Sequence, residues 1–168
     1  MARRETARDG SQVKERAFRF TRPYLDADVW IHALQGTPVG QETVRPLLVA
    51  ADSGTLKLVV SAIMPLEVLR DRADDPSREA EARALAALSR PNVVEVPVGR
   101  AVVLQARGLR LDHGLQSMDA LHLASALRGR ADVFLTFDDK ALRLGLLEQM
   151  LISKPYWPGD TPLPGLDA

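Results

Sequence analysis

Four acidic residues, Asp26, Glu67, Asp119 and Asp138, stand where carboxylates could do chemistry. Asp26 directly follows Tyr24-Leu25, Glu67 lies between Leu66 and Val68-Leu69, and Asp119 is flanked by Met118 and by Ala120-Leu121. Charges in such apolar company are costly unless paired or bound to a metal. Converging carboxylates repel one another, and a divalent cation is the simplest compensation. With no cysteine and 3 histidines in the chain, hard oxygen ligation is indicated, hence Mg2+ or Mn2+ rather than zinc. One or two such ions polarise a phosphodiester, lower the pKa of an attacking water and steady the leaving oxygen. The chemistry to expect is phosphodiester hydrolysis. Taken singly, each acid has a plainer explanation, because Asp and Glu at helix starts cap free amides and complement the helix dipole. It is the set of four that favours a site.

Positioning such a set requires elements whose ends meet. Short apolar runs alternate with helical patterns, the signature of a parallel sheet flanked by helices. Strands are expected over Pro23–Asp26, Leu56–Ser61, Val93–Val96, Val133–Thr136 and Met150–Ser153. Helices are expected over Asp28–Leu34, Glu42–Ala51, Pro65–Arg72, Ser77–Leu88, Arg100–Leu109, Ser117–Leu127 and Asp139–Leu144. The fold class is therefore α/β, a three-layer arrangement with a central, mostly parallel sheet of four or five strands. Asp26 ends the first strand, Asp138 follows the strand at Val133, and Glu67 and Asp119 each occupy the first turn of a helix. In an open parallel sheet, ligands bind beyond the carboxyl ends of the strands, where strands hand over to helices.

The bulk properties bound the answer without giving it. A chain of 168 residues buries a core without disulfide or metal staples. Residues 1–20 carry charge and no apolar periodicity and read as a flexible arm; 155–168, rich in Pro and Gly, read as a loose tail; 21–154 form the folded domain. No apolar run approaches the roughly 20 residues of a membrane span, no secretory signal opens the chain, and the cytoplasm is the expected location. With 22 basic and 22 acidic residues, no overall positive field grips nucleic acid. A local basic patch is compatible with that balance, and Arg128, Arg130, Lys140 and Arg143 read either as a basic rim or as a solvated face.

Four segments taken together resemble a known family: Tyr24-Leu25-Asp26-Ala27-Asp28-Val29; Ser61 leading to Leu66-Glu67-Val68-Leu69; Asp119-Ala120-Leu121-His122-Leu123-Ala124; and Leu135-Thr136-Phe137-Asp138. The set, in this order, is similar to the PIN-domain family and above all to the VapC ribonuclease toxins of bacterial VapBC toxin–antitoxin pairs. The resemblance implies a sheet between helix layers, with Asp26, Glu67, Asp119 and Asp138 as metal-binding catalytic acids for Mg2+ or Mn2+. It also implies RNA as substrate, homodimers, and a small antitoxin protein as partner. Thr136 matches a frequent polar residue beside the last acid, placed to orient a water or a ligand. Two departures stand out. Asp28 replaces a small polar residue and reads as either an extra supporting acid or the helix cap, and the segment before Tyr24 is long for such a toxin.

His122, one helical turn from Asp119, reads as a satisfied structural histidine or as a partner for that acid. Trp30 reads as core, and Trp157 as docked on the body or on a partner. Two rival functions fit part of the pattern. A haloacid-dehalogenase-like phosphatase would use Asp26 as nucleophile with Asp28 two residues on, but no lysine falls between Ser61 and Asp138, and Glu67 and Asp119 stay unexplained. A non-catalytic PIN-like binding scaffold needs no acids, yet all four are present.

Overall fold

The strands β1 (Pro23–Leu25), β2 (Leu58–Ser61) and β4 (Val133–Leu135) are buried at every position, as expected of parallel strands covered by helices on both faces. In this computed structural model, which describes residues 19–68 and 78–157, they form the centre of a six-stranded sheet in the order β3-β2-β1-β4-β6-β5. The flanking strands are β3 (Val93–Val96), β5 (Leu146–Leu147) and β6 (Met150–Ser153). All neighbours run parallel except β5 and β6. The helices are α1 (Ala27–Gln35), α2 (Arg45–Asp52), α3 (Met64–Val68), α4 (Arg78–Leu88), α5 (Arg100–His113), α6 (Ser117–Arg128) and α7 (Asp139–Leu142).

The mostly parallel α/β plan agrees with the sequence reading, with one strand more. The extra strand, β5, is only two residues long and follows Gly145, whose φ is 63°; α7 stops at Leu142, short of its expected limit at Leu144. The helix expected over Glu42–Ala51 splits into a π-helical turn (Gly40–Val44) and α2. Pro46 supplies no amide hydrogen to a carbonyl four residues back, so regular α pairing cannot run through it. Conversely, α5 runs past Leu109 to His113, because the left-handed residue that caps it is Gly114 at φ 65° rather than Gly108. Of the helix expected over Pro65–Arg72, α3 covers Met64–Val68, and 69–72 lie outside the described residues.

Tyr24, Trp30 and Phe134 lead the core, each at most 1% exposed, with the rings of Tyr24 and Phe134 stacked at 5.1 Å. Most of the expected arm and tail, 1–18 and 158–168, lies outside the described residues. Where the chain is described, it is held: Phe20 meets Tyr156 edge-on at 5.3 Å, Trp157 packs against the core, and the Asp132 carboxylate accepts the backbone N–H groups of Thr21 and Arg22. Among the described residues, no helix is long and apolar enough to cross a membrane.

Candidate active site

The chain builds the sheet outward from β1 through β2 to β3, then crosses back to place β4 on the other side of β1. The strand order therefore reverses between β1 and β4, the position where open α/β sheets leave a crevice. Leu25 pairs with Leu135, so Asp26 and Thr136 leave adjacent strands side by side, and the Asp26 N–H donates to the Leu135 carbonyl at 3.0 Å. Asp26 caps α1, its Oδ1 accepting from Ala27 N–H at 2.8 Å. Thr136 is fully buried; its hydroxyl donates to Asp26 Oδ2 at 2.8 Å and accepts from Asp138 N–H at 3.0 Å. Asp138 caps α7, accepting from the N–H groups of Lys140 and Ala141. Capping is thus correct for both acids, and it leaves them together at one crevice.

Asp28 is not a cap. Its Oδ2 accepts from Phe137 N–H at 2.9 Å and lies 3.4 Å from the Thr136 hydroxyl, tying the first turn of α1 to the segment after β4. Its Oδ1 is buried without a hydrogen-bond partner.

The other two acids arrive from helices. Asp119, His122 and Ser125 recur at i, i+3 and i+6 along one face of α6, each deeper than the last. His122 is 2% exposed. Its Nδ1 meets the Tyr24 hydroxyl at 2.6 Å, and its Nε2 meets Glu67 Oε2 at 2.5 Å. The Ser125 hydroxyl donates to that of Ser61 at 2.9 Å. His122 therefore partners Glu67 rather than Asp119. The parts played by Tyr24, Ser61 and Ser125 escape a sequence reading, where the sole signal is polar residues at helical spacing on an otherwise apolar face.

These carboxyls share one electrostatic neighbourhood. Burial raises the Asp26 pKa; the negative charge of Glu67 adds to the rise, while His122, the Ala27 N–H and Thr136 oppose it. Asp119 is raised by burial and then by the charges of Asp138 and Glu67. Asp28 is pushed up to about 6 by burial and by Asp26. Burial alone would lower His122, but the hydrogen bond to Glu67 and the charges of Asp26, Glu67 and Asp119 outweigh it and leave it raised. All four acids thus belong to one chain of repulsions, Asp26 to Glu67 to Asp119 to Asp138. Among the described residues, no three His, Asp or Glu side chains are gathered tightly enough as they stand to enclose an ion. The donor chemistry nevertheless fits a divalent cation: the acids are oxygen donors whose mutual repulsion is only partly offset.

The basic rim is smaller than expected. Lys140 lies close enough to Asp119 to oppose its shift. Arg128, bonded to Gln105, sits at the far end of α6, roughly 14 Å along the helix from Asp119 at 1.5 Å per residue. Arg130 precedes β4 at the same far end.

A family model for the PIN domain matches residues 24–146. The chain belongs to the PIN domain family. That match spans all four acids and disposes of the phosphatase reading. Three solved structures share the PIN fold with this chain. VapBC2 from Rickettsia felis, crystallised bound to a DNA fragment from its promoter, has 15% identity and a TM-score of 0.60 over 80% of this chain and 99% of its own. A toxin–antitoxin complex from Klebsiella pneumoniae has 18% identity and a TM-score of 0.57 over 83% and 99%. VapC20 from Mycobacterium tuberculosis, a Sarcin-Ricin loop cleaving toxin, has 17% identity and a TM-score of 0.59 over 75% and 97%. None of the curated proteins matches in sequence at a significant level.

Proposed function

We propose that this PIN domain is a metal-dependent endoribonuclease and the toxin of a toxin–antitoxin pair. The observation that carries the reading is that Asp26 and Asp138 leave the sheet where the strand order reverses, joined through Thr136, with Glu67 and Asp119 near enough for their charges to bear on one another. The PIN family is one of nucleases, and solved toxin–antitoxin assemblies share the fold. In this reading the four carboxylates hold Mg2+ or Mn2+, and Asp28 and Thr136 support them. The bound ion supplies Lewis acidity and a water of lowered pKa. The chain's own residues set the stage. Thr136 holds Asp26 and the Asp138 backbone in register, the α1 and α7 amides orient the two caps, and Lys140 offers a cation beside Asp119. A small antitoxin protein is the expected partner, and homodimers the expected assembly.

The test is cleavage of a structured RNA mixture by purified protein with Mg2+ or Mn2+, with chelator, and with Asp26→Asn and Asp119→Asn checked for retained fold. Cuts that vanish with chelator and in both variants are the expected result. Cleavage that persists in Asp26→Asn refutes the assigned site. A folded protein that neither cuts nor binds Mn2+ is the scaffold reading instead.

A further inference from the structure

The metal-site reading above leaves Glu67 without an account of what aims it. The acid sits on α3, a helix of five residues, with a side chain 26% exposed. Asp26 and Asp138 are oriented by the helices they cap, and Asp119 is carried on the twelve-residue α6; Glu67 caps no helix among those described.

His122 supplies that account. A carboxylate only accepts, so the imidazole Nε2 carries the hydrogen that Glu67 Oε2 receives. Nδ1 meets the hydroxyl of the fully buried Tyr24 at 2.6 Å, accepting from it when the ring is neutral and donating to it when the ring is charged. Beside the phenol stands Ser61, whose hydroxyl takes a hydrogen bond from Ser125. The result is a continuous run of hydrogen bonds from Tyr24 through His122 to Glu67, reaching from the buried core to the acid cluster. Each member polarises the next and leaves few alternative geometries. Both ring nitrogens are engaged and the ring is buried, so the imidazole cannot turn without breaking two bonds.

We propose that His122 is a positioning residue that fixes the Glu67 carboxylate toward the other acids, with its own orientation keyed from the core by Tyr24. The inference rests on the metal-site reading, and its readout is Mn2+ affinity of the full chain, measured by titration calorimetry, rather than cleavage.

His122→Leu removes the donor and keeps the volume roughly constant. It is expected to weaken Mn2+ binding by roughly ten- to a hundredfold, the usual cost of losing a partner that orients a ligand. His122→Gln, whose amide N–H reaches toward the Nε2 position, is expected to recover most of the affinity. In a Glu67→Gln background the His122→Leu change is expected to add no further loss. Unchanged affinity in His122→Leu, equal losses in His122→Leu and His122→Gln, or an undiminished loss in the Glu67→Gln background each overturn the proposal. Should His122→Leu fail to fold, Tyr24→Phe decides: a several-fold weakening is expected, and unchanged affinity overturns the keying. Mn2+ binding that ignores Glu67→Gln itself overturns the metal-site reading, a result separate from a His122 failure, in which Glu67→Gln still weakens binding.

Discussion

Replacing Asp28 by Asn stabilises the protein at mildly alkaline pH and loses that advantage in acid. The folded-state pKa of Asp28 is about 6 against an ordinary 3.8, raised by burial first and by the Asp26 charge second. The sign follows from linkage. Below 3.8 the carboxyl is protonated in both the folded and unfolded chain, and it costs nothing. Between 3.8 and about 6 the folded state alone keeps the proton, so stability falls as pH rises; above about 6 both states are ionised and the penalty is complete. The interval is worth about 3 kcal/mol, discounted to about 2 because the side chain is not fully enclosed. Asn keeps an oxygen for the Phe137 N–H, but it puts an NH2 where Oδ1 has no partner, at a cost of about 1 kcal/mol. The net gain near pH 8 is therefore about 1 kcal/mol, a rise of roughly 2–4 °C in Tm for a chain of this size. The sharper observable is the change with pH. Urea unfolding of both proteins in chelator should show the variant's advantage shrinking by about 2 kcal/mol between about pH 8 and about pH 4. An advantage that is flat with pH refutes the assignment of the strained charge to Asp28.

Two further predictions concern other joints of the structure. Thr136→Val removes a charge-assisted bond to Asp26 and strands the Asp138 N–H, costing about 3 kcal/mol, whereas Thr136→Ser keeps the hydroxyl and costs about 1; urea unfolding that separates the two by less than about 1 kcal/mol shows that the hydroxyl is not the tie. Gly129→Ala puts a methyl 2.4 Å from Val59 Cγ1 and 2.8 Å from Val96 Cγ2, so it costs about 1–3 kcal/mol of overpacking. Because it lies at the end of α6 remote from the acids, RNA cleavage per folded molecule should hold at wild-type level. An unshifted Tm contradicts the close approach.

What the sequence made legible was the periodic part. The runs around Tyr24, Val59 and Phe134 are apolar because both sheet faces are covered, and that pattern needs no tertiary information to read. The four acids were legible because each breaks an apolar context at the end of an element. The rest depends on which elements become neighbours. Nothing local to His122 says that its partner is Glu67, 55 positions away, rather than Asp119 on its own helix; that follows only once the fold brings the two side chains within reach. Arg128 and Arg130 look like site residues because they lie near Asp138 in the chain, yet a parallel strand separates Arg130 from Asp138 and carries them to opposite ends of the sheet. Asp28 reads as a cap because it opens the helical pattern, but Asp26 takes that place, which leaves Asp28 free to reach across to Phe137. Gly108 looks like a stop and Leu146-Leu147 looks like nothing, since two residues carry no periodicity.

The structural and the functional readings of the acids are not rivals. A cap of the kind Asp26 and Asp138 provide stabilises a helix by about 0.5–2 kcal/mol, and a hydrogen bond to a charged group, such as that from His122 to Glu67, by about 1.5–3. Three of the four carboxylates therefore offset part of their mutual repulsion through bonds the fold needs anyway. Asp119 differs. It has no hydrogen bond among the described residues, it is half-buried, and the charges of Asp138 and Glu67 raise it. His122 and Lys140 oppose that rise without cancelling it. A cluster built solely for capping would have no reason to bring a fourth, unbonded acid into the same field. Under the proposed function, Asp119 is the position where the protein leaves negative charge uncompensated, and where a divalent ion has most to gain.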